Sequence, residues 1–523
     1  MTSTRIRILK TTAFVVLILL AIVFLSGIIL SHYAQQRAEA LLKSTGAKIG
    51  SLDINLFTQS ISIQDFDLNF SGDSTHSVPH IARIQKITVD DISIYDLVVK
   101  KQIHIHTATI SNGNIRYNRN IKFKQAPSTS PSSLKKIKID HLVLKNLKTE
   151  FVNDSVTDYS GTLTLNVESI NSGDTSSITD VMKYTIKNVE IKISKLLINN
   201  KGGLYQTRIS QLYVNTHEQK MSIDSILLIP NYPKYKFARI AKKQTDRINV
   251  FIPKVIATGF NYKLNQDSSL VASKIEIFSA EVRSFRDKRI PFRETQNKPL
   301  PMALLKKIPF GVEIDTIKIK DAKISYEEFP PEGFESGKLT FEKLNATLSN
   351  LSNRPYYNKL KYATLEATAR IMGKGFIHAS FLLPIEDKLA YRAKGKISTM
   401  ALHHLNPVLE NLAFVSIESG KLNEMNFNFE YTDRESYGSL TINYSDLKMK
   451  GLNKDKAASV NDFKSFLINT VVKNDKDKDV PMENRTGTIA FDRDRKRQVF
   501  NFWWKSILSG IKTSILSPNN KKN

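Results

Sequence analysis

Hydrophobic positions change their spacing once along this chain. From Ala13 to Leu30 (AFVVLILLAIVFLSGIIL) they are continuous, and after Gly46 they alternate with polar ones. A continuous apolar run of this length suits one helix through a bilayer core of roughly 30 Å, so Thr11–His32 is predicted to span a membrane. Arg5, Arg7 and Lys10 precede it with no acidic residue, which predicts a cytoplasmic tail at 1–10 and export of the remainder. A cleaved signal peptide has a shorter apolar region, about 7–15 residues, before a small-x-small site. Ser31-His32-Tyr33-Ala34 fits such a site poorly, which favours a retained anchor. Ala34–Thr45 (AQQRAEALLKST) then predicts a short helix within a linker over 33–47.

Beyond the linker the period is two. Ile61, Ile63, Leu68 and Phe70 belong to one alternating stretch, and Ile87, Val89, Ile92 and Ile94 to another. Leu163-x-Leu165-x-Val167, Ile275-x-Ile277 and Phe427-x-Phe429-x-Tyr431 repeat the pattern between Gly, Asn, Asp and Ser turns. A 13-residue unit recurs at Ile105–Tyr117, Ile139–Phe151, Ile193–Tyr205 and Ile314–Tyr326. Each copy starts with Ile, has Asn or Asp at position 8, and ends in an aromatic. The expected structure is a strand, a turn at position 8 and a returning strand. At roughly 14 residues per strand and turn, this predicts about 30 strands in one mainly β-domain over 48–484. Lys124–Ser133 is a Pro/Ser loop, Arg283–Pro301 is basic and Pro-containing, and Pro301–Phe310, Met400–Leu412 and Lys456–Val472 are helical candidates.

Composition narrows the chemistry. Lys and Arg total 76 against 50 Asp and Glu, a net of +26. In an exported protein that charge suits anionic lipid or polymer, and no nucleic-acid module with basic residues and stacking aromatics is present. The chain has no cysteine, hence no disulfide and no thiolate chemistry. His104-Ile105-His106 places two imidazoles on one face of a strand, a metal half-site without a third ligand nearby, so solvated histidines are expected. His403 and His404 are adjacent and diverge on a helix. With no nucleophile elbow, P-loop, zinc-protease or dinucleotide fingerprint, neither an enzyme nor a cofactor is expected.

Two basic stretches remain. Asn231–Lys254 carries Lys234, Lys236, Arg239, Lys242, Lys243, Arg247 and Lys254 among four aromatics, and is either a lipid-contacting rim or a solvated loop. The segment 485–523 carries Arg493, Arg495, Lys496 and Arg497, then a predicted helix over Gln498–Leu516. That helix aligns Phe500, Trp503, Trp504, Ile507, Leu508, Ile511 and Ile515 in one stripe and holds both tryptophans of the chain. It suits contact with a membrane interface or a partner, or a cap on the end of the β-domain.

With an N-terminal anchor followed by Lys48-Ile49-Gly50-Ser51-Leu52-Asp53, the chain resembles the AsmA-like envelope proteins. Pro230-Asn231-Tyr232-Pro233, Gln244-Thr245-Asp246-Arg247-Ile248 and Gly337-Lys338-Leu339-Thr340-Phe341 extend the resemblance, as do His378-Ala379-Ser380-Phe381, Leu405-Asn406-Pro407 and Ile417-Glu418-Ser419-Gly420. The resemblance implies a Gram-negative inner-membrane protein whose long, twisted, mostly antiparallel sheet forms a periplasmic U-shaped groove. It further implies movement of phospholipid toward the outer membrane and a part in outer-membrane homeostasis. Strands with one apolar and one polar face allow such a trough, whereas packing of two such faces as a sandwich is the ordinary alternative. On the groove reading Ile110, Leu144, Ile193, Leu196, Ile198, Ile317 and Ile319 line the trough against phospholipid acyl chains. The expected partners are the inner membrane through Thr11–His32 and an outer-membrane or envelope protein at the C-terminus. A non-catalytic envelope scaffold or assembly factor is the alternative function.

Overall fold

The computed structural model describes residues 47–55, 58–70, 79–120, 136–153, 156–172, 185–200, 202–263, 269–354, 360–386, 388–452 and 483–516. The expected cytoplasmic tail 1–10, the membrane span, the short helix Ala34–Thr45 and the helical candidate Lys456–Val472 lie outside them. The described residues are mainly β, a large mixed sheet of 22 strands with a few short helices. The chain divides into two compact units, 1–224 and 225–523.

The first unit contains β1 (Ala47–Lys48), β2 (Ser51–Asn55), β3 (Ser60–Phe70) and β4 (His80–Ile92), then the short helix α1 (Ile94–Val98). It continues with β5 (Gln102–Asn118), β6 (Lys136–Asn153), β7 (Val156–Asn171), β8 (Thr185–Asn199) and β9 (Tyr205–Asn215); β10 is Lys220–Pro230. The second unit has α2 (Lys234–Ile240), β11 (Asp246–Thr258), β12 (Asn261–Lys263), β13 (Ser269–Phe278), β14 (Glu281–Asp287) and α3 (Pro301–Leu305). Then come β15 (Gly311–Phe329), β16 (Gly337–Ser352), β17 (Tyr362–Ile371), β18 (Gly375–Pro384) and β19 (Tyr391–Ala401). A 3-10 turn (Leu402–Leu405) leads into α4 (Asn406–Leu412), β20 (Val415–Tyr431), β21 (Glu435–Gly451), β22 (Glu483–Asp492) and α5 (Val499–Leu516).

Three copies of the repeat form long single strands, not hairpins. In the fourth, Ile193–Tyr205, Asn200 does open the turn from β8 to β9, its carbonyl accepting from the Gly203 N–H. Ile105–Tyr117 lies wholly within the 17-residue β5, Ile139–Phe151 within the 18-residue β6, and Ile314–Tyr326 within the 19-residue β15. The position-8 residues Asn112, Asn146 and Asp321 do take left-handed φ of 52°, 53° and 52°. They reverse nothing. Each sits inside a continuous strand: Asn146 and Asp321 lie at register shifts against the next strand, a β-bulge, whereas Asn112 keeps register with both β4 and β6. Asn and Asp tolerate this conformation, which explains the turn-like signature. In β8 the bulge falls at Lys195 (φ 54°), so the unit aligned on Ile193 is out of step there. The described residues hold 22 strands against the expected 30 or so, several of them longer than the roughly 14 residues assumed per strand and turn.

The apolar face is continuous along the strands. Along β5 the buried positions are Ile103 and Ile105, then Ala108 and Ile110, then Ile115 and Tyr117. The parity switches twice while β5 stays in register with β4 and β6, whose buried positions switch in step with it.

Most pairs are antiparallel, but β5–β6 and β13/β14–β15 are parallel. A parallel neighbour needs a crossover of about a dozen residues or more. The segment 288–310, which contains the basic, Pro-containing stretch of the sequence, supplies the one before β15; the expected Pro/Ser loop Lys124–Ser133 lies outside the described residues.

Candidate functional site

Register aligns the apolar positions into rows that run across strands. In the first unit Ile63, Ile87, Ile110, Leu144, Leu165, Ile191 and Val214 are successive partners from β3 to β9. A second row is Phe66, Ile84, Gly113, Leu147, Leu163, Ile193 and Leu212. Directly opposed side chains share a face. Up to β6 the rows are a closed core, with Ile110 and Leu144 only 1% and 2% exposed. From β7 on they open, and Leu163, Leu165, Ile191, Ile193, Leu212 and Val214 are all half-buried.

The second unit repeats the arrangement. Ala257, Ile275, Ile317, Leu348, Leu365, Phe381, Ala393, Phe429, Gly438 and Ile489 are successive partners from β11 to β22. Ile275, Ile317, Leu348, Leu365 and Phe381 are half-buried, whereas Ala393, Phe429 and Ile489 are buried. A neighbouring row is small in its middle: Ile319, Ala346, Ala367, Ala379, Gly395, then Phe427. A Cβ on Gly395 would lie 2.4 Å from Phe427 Cζ, so that ring lies across the row and ends it.

The trough candidates therefore fall into two groups. Ile193, Leu196, Ile198, Ile317 and Ile319 are half-buried in the open stretches. Ile110 and Leu144 share rows with such positions but sit in the packed core, which alternation within one strand does not reveal. Leu165, Leu212, Leu348 and Phe381 were missed for the complementary reason, because cross-strand register alone aligns them with the candidates.

The C-terminal helix α5 covers the edge strand β22. Its buried side is Phe502 (2% exposed), Ser506, Leu508, Gly510 and Ser514, with Trp503, Ile507 and Ile511 half-buried. This face is rotated from the expected stripe: Phe500 is 70% and Trp504 48% exposed. The small residues face the sheet because the backbones approach closely, and a Cβ on Gly487 would lie 1.9 Å from the carbonyl oxygen of Gly510. The Ser509 hydroxyl accepts from the Ala490 N–H at 3.2 Å, and Thr513 donates to the Thr488 carbonyl at 2.9 Å, which satisfies edge groups of β22. Ser436 and Ser506 hydroxyls meet at 2.7 Å beneath the helix. Trp503 stacks on Phe381 with ring centroids 4.6 Å apart. The side chain of Ile515 is outside the described residues.

The basic runs are largely engaged within the fold. Arg493, with a fully buried side chain, pairs with Asp433 and donates to the Lys298 carbonyl, and Arg495 reaches Asp433 at 2.6 Å. Arg497 lies over the Phe292 ring at 3.6 Å. In the Asn231–Lys254 stretch Lys234 pairs with Glu327, Lys243 with Glu294, and Arg247 donates to the Tyr232 carbonyl. Lys236, Arg239 and Lys242 are exposed.

The His104-x-His106 pair is not merely solvated. Nδ1 of His104 is 2.8 Å from Asp96 on α1, and Nε2 is 2.9 Å from Asp140 on β6, which His106 also approaches at 3.3 Å. Hydrogen bonds from Lys100 and His104 hold Asp96 down at about 2. Burial of Asp140 opposes ionisation, but Lys138, His104 and His106 outweigh it and lower its pKa as well. The cluster ties α1 to the sheet. Among the described residues no group of three or more His, Asp or Glu side chains is placed to hold a metal ion. None of their helices is long and apolar enough to cross a membrane.

No protein-family model matches the chain, and no curated protein matches it significantly.

Proposed function

We propose that the protein is anchored in the inner membrane by Thr11–His32, stands in the periplasm, and binds and conducts phospholipid toward the outer membrane in support of outer-membrane homeostasis. The observation that carries this reading is the open part of the apolar rows. Side chains such as Ile193, Leu212, Ile317 and Leu348 are aligned across strands yet only half-buried. Acyl chains laid along the rows stabilise themselves by about 0.8 kcal/mol per CH₂ removed from water. Successive rows offer nearly equivalent positions, so a chain slides without entering water. No covalent chemistry or cofactor is required.

Purified protein should carry phospholipid detectable by mass spectrometry. Ile193→Glu together with Ile317→Glu should remove it while circular dichroism stays unchanged. Protein that emerges lipid-free under mild extraction and takes up none from vesicles rejects the reading.

A second reading, a non-catalytic scaffold or assembly factor for outer-membrane proteins, is favoured by the exposed pair Phe500 and Trp504 on α5. It predicts that Phe500→Ala with Trp504→Ala abolishes the envelope phenotype while the Ile193 and Ile317 variants are silent.

A further inference from the structure

The open row of the second unit has an end. Ile275, Ile317, Leu348, Leu365 and Phe381 are half-buried, and the next partners, Ala393 and Phe429, are 1% and 2% exposed. The change occurs where α5 crosses the sheet, with Trp503 on Phe381 at 4.6 Å and edge-on to Tyr431 at 6.2 Å. The adjoining lane of small residues, Ala346, Ala367 and Ala379, ends at the same place, because Phe427 lies across Gly395. Two aromatic side chains from different elements thus stop two neighbouring rows between β18 and β20.

Resting on the phospholipid reading above, we propose that Trp503, with Phe427, is the end wall that fixes the length of acyl chain the second unit holds. From Ile275 to Phe381 the row crosses four strand spacings, roughly 19 Å at about 4.8 Å each. The strand ends beside it have the charge that an anionic headgroup needs. Lys306, Lys307, Arg354, Lys361 and Lys388 lie in the segments joining β14 to β15, β16 to β17 and β18 to β19, against Glu386 in the last of these. A lipid lying here keeps its headgroup at the basic strand ends and its chain along the row, with the tail against Trp503.

Chain-length selection tests this. Full-length protein is equilibrated with vesicles of phosphatidylglycerols whose chains run from lauroyl to behenoyl, and bound species are quantified by native mass spectrometry. Wild type should show a sharp upper limit. Trp503→Ala should move the limit to longer chains, with binding of the first excluded lengths rising about fourfold per accommodated methylene, the ratio equivalent to about 0.8 kcal/mol. To separate added space from loss of the helix, Trp503→Ala is also made with Ser436→Cys and Ser506→Cys. Their hydroxyls are 2.7 Å apart, and the cysteine-free chain allows only that disulfide, which pins α5. Phe381→Ala opens the same space from the sheet side and should give the same shift. Lipid bound with an unchanged length profile in both pinned Trp503→Ala and Phe381→Ala overturns the wall alone. Absence of lipid from wild type overturns the wall together with the reading beneath it.

Discussion

Ile105 lies directly opposite Ile139 in the parallel pair β5–β6. The two are the first residues of two copies of the 13-residue unit, and the pairing continues in that register to Tyr117 opposite Phe151. For these two copies the repeat acts as a pairing code: equivalent positions meet, and the left-handed residues Asn112 and Asn146 fall side by side. Asn146 donates to Asn112 at 3.1 Å, and Asn112 to Gln85 at 3.2 Å.

Stiff side chains should not be accepted at these left-handed positions. Asn112→Val places a β-branched residue at positive φ, costing about 1–2 kcal/mol for the left-handed conformation. It also loses amide hydrogen bonds worth about 1 kcal/mol. Asn112→Gly should cost less. Urea denaturation of the two variants checks the order.

The apolar rows should split by position. Ile110→Ala removes a packed side chain and should cost about 2–5 kcal/mol. Ile193→Ala, in an open stretch, should cost less than about 1 kcal/mol. Equilibrium unfolding followed by circular dichroism should separate the two.

Much of this was legible from one strand at a time. Period-two alternation gave the mainly β class, and the helix at the C-terminus starts within one residue of its expected Gln498 boundary. The left-handed positions were visible too, as Asn or Asp at position 8, but a left-handed residue has the same chemistry in a turn as within a strand. Only the partner strand decides between them. The same holds for burial: Ile110 and Ile193 look alike in sequence, and their difference lies in what covers the sheet at β5 and at β8. The buried face of α5 was misjudged because Gly510 and Ser506 carry no apolar signal, although small side chains are what close backbone packing requires.

Both tryptophans sit on α5, so their fluorescence reports its docking. Gly487→Val inserts side-chain atoms where the Gly510 carbonyl lies. The helix should lift from β22, red-shifting the emission and exposing Trp503 to iodide quenching, with the far-ultraviolet β signal retained.

The cluster that holds α1 should titrate in acid. Asp96 is lowered from its ordinary 3.8 to about 2 in the folded protein. A lowered folded-state pKa stabilises the fold above the unfolded value, and that contribution is lost as pH falls through the folded one. Asp96→Asn should therefore be less stable than wild type near pH 5, with the gap closing as pH falls from about 4 to about 2. Chemical denaturation across that range measures it.

Face-resolved photocrosslinking in cells tests the central claim most directly. A photoreactive amino acid at Leu348 occupies the open apolar row, and the same group at the adjacent Thr347 points to the opposite face. The account predicts phospholipid adducts at Leu348, and likewise at Leu212 in the first unit, with little at Thr347. Equal labelling of Leu348 and Thr347, or adducts at neither Leu348 nor Leu212, would contradict it.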